Sequence, residues 1–137
     1  MPDPETPTNA NAAYIDAVAH GRVEPFGHRE HVRLAFALVA EHGIEDAAQR
    51  AARILSHMAA AHGAPERFHV TMTTAWVRAV AHHMTIAPEL TDFDRFLERF
   101  PRLLRRDLLD AHYSRDVMFS DTARQAEVAP DRLPIPV

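Results

Sequence analysis

Apolar residues recur at intervals of three and four along most of this chain, the spacing of one face of an α-helix. The segment 28–42 shows the pattern most clearly. Its apolar positions are Val32, Leu34, Ala35, Phe36, Leu38 and Val39. Gly21, Gly43 and Gly63 each follow such a segment, as glycine often does at a helix C-terminus. No pair of alternating segments is typical of β-strands, so the pattern predicts an all-α fold.

The same periodicity predicts about six helices and a short last one. Their approximate ranges are 9–20, 28–42, 45–62, 66–84, 93–100, 102–113 and 121–128. Pro101 separates the fifth helix from the sixth because proline has no backbone N–H to donate. We expect a single-domain bundle over 9–128, after a proline-rich disordered leader at 1–8 and before an extended tail at 129–137 that contains three prolines.

Composition narrows the class of protein. A hydrophobic fraction of 47% with 25% charged residues is ordinary for a globular chain. No apolar stretch reaches the roughly 20 residues of a membrane span, and no signal peptide begins the chain, so we expect a cytoplasmic protein. The formal charge of −4 and the lack of a basic recognition helix argue against nucleic-acid binding, including by a helix-turn-helix. The segment from Tyr113 onward carries enough apolar anchors to cover the bundle or to form a homodimer contact.

The candidate chemistry lies in the histidines, of which there are ten, whereas there is no cysteine. A metal would therefore need ligands from His, Asp, Glu or water. His28 and His31 stand three positions apart on one helix face, which continues through Ala35 and Leu38 and therefore points inward. A buried imidazole needs partners for its ring nitrogens, and a metal ion would supply one. Alternatively, His31 is a hydrogen-bonded core residue and His28 is exposed.

His69 begins the fourth predicted helix, as His28 and His31 begin the second. In an up-down-up-down bundle these two helices run parallel, and the three imidazoles would meet at one end of the core. The sequence thus predicts a three-histidine site for a divalent transition metal (Zn²⁺, Fe²⁺, Ni²⁺ or Cu²⁺). Alternatively, His69 donates a hydrogen bond to a helix-end carbonyl.

Two further residues are candidates for binding or orienting a substrate. Thr73 is β-branched inside a helix and either bonds back to a helix carbonyl or orients His69 and a ligand. Arg106 either lies on an exposed charged face or orients an anionic group. The leading hypothesis is a metal-dependent enzyme acting on a small polar or anionic molecule. The alternative is a non-catalytic helical binding or assembly module with structural histidines.

The motif Phe26-x-His28-x-x-His31, followed by Phe68-His69-x-Thr71-x-Thr73, resembles a family of small, uncharacterised bacterial helical proteins. The resemblance covers about residues 25–135. It implies that the three histidines act together, but the family has no established activity that would assign them a reaction. This chain has phenylalanine at position 68, where the family pattern leads us to expect tyrosine.

Overall fold

The computed structural model describes residues 9–135; the predicted leader and the last two tail residues lie outside them. Every regular element in this range is helical, which confirms the predicted all-α fold. The α-helices are α1 (Ala10–Ala19), α2 (His28–His42), α3 (Ile44–Ala61), α4 (Val70–Ile86), α5 (Phe93–Arg99), α6 (Arg115–Met118) and α7 (Asp121–Gln125). The 3₁₀ segments are Pro65–Arg67, Pro101–Leu104 and Arg106–Ala111. Among residues 9–135, no helix has the length and apolar character that crossing a membrane requires.

Helix α2 is central because α1, α3 and α4 all pack against it. Its core face includes Phe36, whose ring lies 4.8 Å from that of Phe96 and 5.4 Å from that of Phe93. These centroid distances are within the range of favourable aromatic pairs. The aromatic contacts attach α5 to the middle of α2, and Arg29 in the first turn of α2 adds an ion pair with Asp94 at 2.8 Å.

The sixth predicted helix, 102–113, is wrong: the chain there forms two 3₁₀ segments separated by an extended Arg105 (φ −83°, ψ 115°). Proline at 101 starts the first segment and lacks the N–H that would continue α5. The break allows both Leu103 and Leu109 to be buried while Leu104 is exposed. Tertiary packing has therefore overridden the local apolar pattern.

The fourth and last predicted helices are also shorter than expected. Helix α4 begins at Val70, because a 3₁₀ turn at Pro65–Arg67 and an extended Phe68 precede it. Near the C-terminus, the predicted helix 121–128 stops at Gln125. Helix α6 forms between the sixth and the last predicted helices, where the apolar pattern predicts none.

The C-terminal segment returns over the bundle, as predicted, and hydrogen bonds hold it there. The Thr71 hydroxyl is buried and donates to the Ala126 carbonyl at 2.9 Å, while it accepts from the Val128 amide at 3.1 Å. The Tyr113 hydroxyl donates to the Val128 carbonyl at 2.8 Å. Residues 126–135 contain no helix or strand. The bonds from Thr71 and Tyr113 hold residues 126–128, and backbone bonds from Arg132 and Leu133 to the carbonyls of His112 and Ala111 hold the part that follows.

Replacing Thr71 with valine should free this segment. The change removes one donor and one acceptor in a buried place, so we expect the free energy of unfolding to fall by about 1–3 kcal/mol. The amide of Val128 should also exchange faster with solvent in hydrogen-exchange NMR. Thr73→Val, two positions away on the same helix, is the control and should change stability by only about 0.5 kcal/mol. Equal losses in the two variants would contradict the assignment.

Candidate functional site

A cleft of about 1080 Å³ opens between the first turn of α2, the last turns of α3 and the first turns of α4. All five residues predicted for the site line it, together with a mainly apolar set of side chains. Its lining includes Val23, Phe26, His28, His31, Leu34, Leu55, Met58, Phe68, His69, Met72, Thr73, Trp76 and Arg106. The topology has thus brought residues from distant parts of the chain to one place.

His28 is held in a defined orientation at the start of α2. Its Nε2 lies 2.9 Å from the carbonyl oxygen of Leu103. Because a carbonyl only accepts hydrogen bonds, this Nε2 carries the proton, and in the neutral ring Nδ1 is the acceptor. The ring also stands edge-on to Trp76, with centroids 4.5 Å apart. His28 therefore offers Nδ1 as its available nitrogen.

His31 carries its proton on the other ring nitrogen, Nδ1. Its Nδ1 donates to the carbonyl of Gly27 at 2.9 Å, so Nε2 is the available acceptor. The ring packs against Phe26 at 4.6 Å, yet its surface remains open to solvent at the cleft. The surrounding walls partly desolvate the imidazolium form and lower the pKa of His31, and the nearby His28 acts in the same direction, whereas the bond to Gly27 opposes them. The lowered pKa favours a neutral His31 at pH 7.

His69 also lines the cleft, but both of its ring nitrogens are already bonded. It is the N-cap of α4, where Nδ1 accepts from the Met72 amide at 3.0 Å. Its Nε2 donates to the Met118 carbonyl at the end of α6. The contact with a helix-end carbonyl is the alternative that the sequence had left open for this residue.

The available ring nitrogens match the predicted three-histidine metal site only in part. His28 and His31 each have one nitrogen available, and His69 has none unless it gives up one of its two bonds. In the range 9–135, no group of three or more His, Asp or Glu side chains is placed to share an ion. The three-histidine set would therefore require His69 to release one of its bonds.

Thr73 and Arg106 contribute polar groups to the same cleft. Thr73 is half-buried, and Arg106 is exposed at the rim, where it begins the second of the two 3₁₀ segments. The charged side chains of the lining are Arg106, Arg67 and Glu24, which leaves an excess of one positive charge in a chain that is acidic overall. The cleft therefore favours an anionic ligand.

Sequence reasoning missed His83, which it placed on the surface. The residue is only 5% exposed and packs edge-on against Phe100 at 5.0 Å. Its Nδ1 donates to the Ala79 carbonyl at 2.7 Å, and its Nε2 accepts from Nε of Arg102 at 2.8 Å. Helical periodicity could have indicated that His83 is buried, because it lies seven positions after Trp76 and therefore on the same inner side of α4.

Comparison with known proteins finds no match: no family model fits the chain, and no curated protein or solved structure is significantly similar to it. The resemblance to the bacterial helical family therefore stays a prediction. The geometry of the cleft is therefore the basis for assigning a function.

Stability should decrease in mild acid. Burial lowers the pKa of His83, with Arg102 and His82 acting in the same direction, and burial likewise lowers the pKa of His31. The unfolded chain, with ordinary histidine pKa values of about 6.5, then binds protons first as the pH falls. The free energy of unfolding should be highest above about pH 6.5 and decrease below it.

Urea unfolding at pH 7.5 and 5.5 would measure this loss. His83→Gln keeps an acceptor for Arg102 but does not titrate, so its loss should be smaller than that of the wild type. His57→Gln, at an exposed position of α3, should behave like the wild type. An unchanged pH dependence in His83→Gln would show that His83 is not a source of the effect.

Proposed function

We propose that the cleft binds a small organic acid with an apolar, preferably aromatic, body as its carboxylate, and that Nε2 of His31 takes up a proton from solvent on binding and pairs with that carboxylate. The observation that carries this proposal is the orientation of His31. Its bond to the Gly27 carbonyl leaves an acceptor nitrogen in a cleft with aromatic walls and an excess of arginine.

The apolar part of the ligand would lie between the aromatic and thioether side chains. Phe26 and Trp76 each pack against one of the two imidazoles, and Met58 and Met72 contribute adaptable apolar surface. Pockets of this size usually bury most of a small ligand through such contacts, with few polar groups fixing its orientation.

The polar part of the ligand would meet His31 and Arg106. A proton accepted by His31 gives an imidazolium beside a carboxylate, which favours the charged form of both groups. Arg106 can approach the same carboxylate from the rim with its planar group of donors. A neutral imidazole with its second nitrogen held by a carbonyl is also the arrangement of a general base, so the proposal extends to catalysis by proton removal.

Binding of 3-phenylpropionate tests this proposal, with 3-phenylpropionamide as the neutral ligand of matched shape. Trp76 is the only tryptophan of the chain and lines the cleft, so its fluorescence reports binding. The acid should bind more tightly than the amide. Its affinity should rise as the pH falls from 8 to 6, by up to about tenfold for each pH unit if one proton is taken up.

The His31→Gln variant should lose the pH dependence, and the exposed His57→Gln variant should keep it. Circular dichroism should show that both variants are folded. Equal binding of acid and amide, or binding by His31→Gln with the wild-type pH dependence, would rule out the proposed role of His31.

A metal-dependent enzyme is the second candidate, favoured by one specific feature of the site. Metal-binding histidines usually donate their other ring N–H to a carbonyl or carboxylate, as His28 and His31 do here. Their available nitrogens would hold a divalent transition metal, with His69 as a third ligand after release of its bonds. Such an ion acts as a Lewis acid toward a bound small polar or anionic molecule.

Metal analysis of protein purified without a histidine tag tests this candidate. With the α2 pair as ligands, His31→Ala should lose the metal, whereas His69→Asn should keep it, because asparagine can still cap α4. Loss in both variants would favour the three-histidine site. Metal bound only to the folded state must raise the melting temperature. No stabilisation by Zn²⁺ or Ni²⁺, and no effect of a chelator, would favour the non-catalytic binding or assembly module.

A further inference from the structure

The 3₁₀ turn Pro101–Leu104 is held by histidines from two different helices. His83 of α4 accepts from the side chain of Arg102, and His28 of α2 donates to the carbonyl of Leu103, the next residue along the chain. These contacts approach the turn from α4 and from α2, which pack against each other. The turn therefore links the buried His83 to His28 of the cleft through two hydrogen bonds.

The bond between Arg102 and His83 permits only one arrangement of protons. A guanidinium only donates, so Nε2 of His83 must be an acceptor, and its Nδ1 donates to the Ala79 carbonyl. His83 cannot rotate without breaking both bonds, because it is buried against Phe100. Although Arg102 itself is exposed, its Nε is thus attached to a fixed point on α4.

We propose that His83 and Arg102 form a positioning pair for His28. By holding the turn against α4, the pair keeps the Leu103 carbonyl where it accepts the Nε2 proton of His28. Because the Leu103 carbonyl binds the proton on Nε2, Nδ1 of His28 stays unprotonated. It is then available in the cleft as a hydrogen-bond acceptor, as Nε2 of His31 is. The consequence for binding rests on the proposed function, whereas the effect on the proton position of His28 does not.

The competing explanation is that the position of the Leu103 carbonyl does not depend on the bond between Arg102 and His83. Its side chain is fully buried in the main core cluster with Phe96 and Phe100, and this packing alone would place the carbonyl. The two explanations differ in what happens to His28 when the bond between Arg102 and His83 is removed and the core is left intact.

Ring-nitrogen NMR of the free protein, labelled with ¹⁵N-histidine, separates them. The wild type should show His28 as a single tautomer with the proton on Nε2. Arg102→Leu removes the donor from an exposed position, and His83→Phe removes the acceptor but keeps an aromatic ring against Phe100. In both variants the two nitrogen signals of His28 should move toward their average. His83→Gln, which restores an acceptor for Arg102, should return them toward the wild-type values.

The neighbouring His82→Phe is the matched control and should leave His28 unchanged. Wild-type signals for His28 in Arg102→Leu would overturn the positioning role, even if His83→Phe failed to fold. Absence of ligand binding in the wild type, with the expected NMR shifts in the variants, would instead contradict the proposed function alone.

Discussion

A main-chain carbonyl can only accept a hydrogen bond, so every contact between a histidine and a carbonyl in this fold assigns a proton to one ring nitrogen. Leu103, Gly27 and Met118 supply these carbonyls to His28, His31 and His69. The contacts leave an acceptor nitrogen on His28 and on His31. In His69, where the helix cap uses the other nitrogen, none is left. The chemistry that the cleft can offer follows from these assignments.

The Leu103 and Met118 carbonyls lie at breaks in the helices, where backbone groups have fewer partners of their own, whereas the Gly27 carbonyl also accepts the His31 amide at 3.0 Å. Gly27 precedes α2, Met118 ends α6, and Leu103 lies in a 3₁₀ turn just before the extended Arg105. A continuous helix over 102–113 would have bonded its carbonyls internally. The irregular segment that the apolar pattern failed to predict is therefore also the one that orients His28.

The cleft differs in character from the chain as a whole. The protein carries a formal charge of −4, whereas the charged residues of the cleft are two arginines and one glutamate. Around them, aromatic and methionine side chains form apolar walls, while the three charged residues themselves are exposed. An apolar cleft with a local positive excess, and a histidine that can take up a proton, suits a ligand with both an apolar body and a carboxylate.

The sequence by itself determined the five longer helices α1 to α5 and the histidine pair on α2, because helical periodicity, caps and glycine stops act between residues only a few positions apart. It also indicated that His28, His31 and His69 lie at one end of the bundle, since short connections leave few topologies. Only the tertiary structure decided which nitrogen of each imidazole is available, that His83 is buried, and that 102–113 is not one helix. These depend on carbonyls and core neighbours up to 75 positions away along the chain, and no local pattern specifies such contacts.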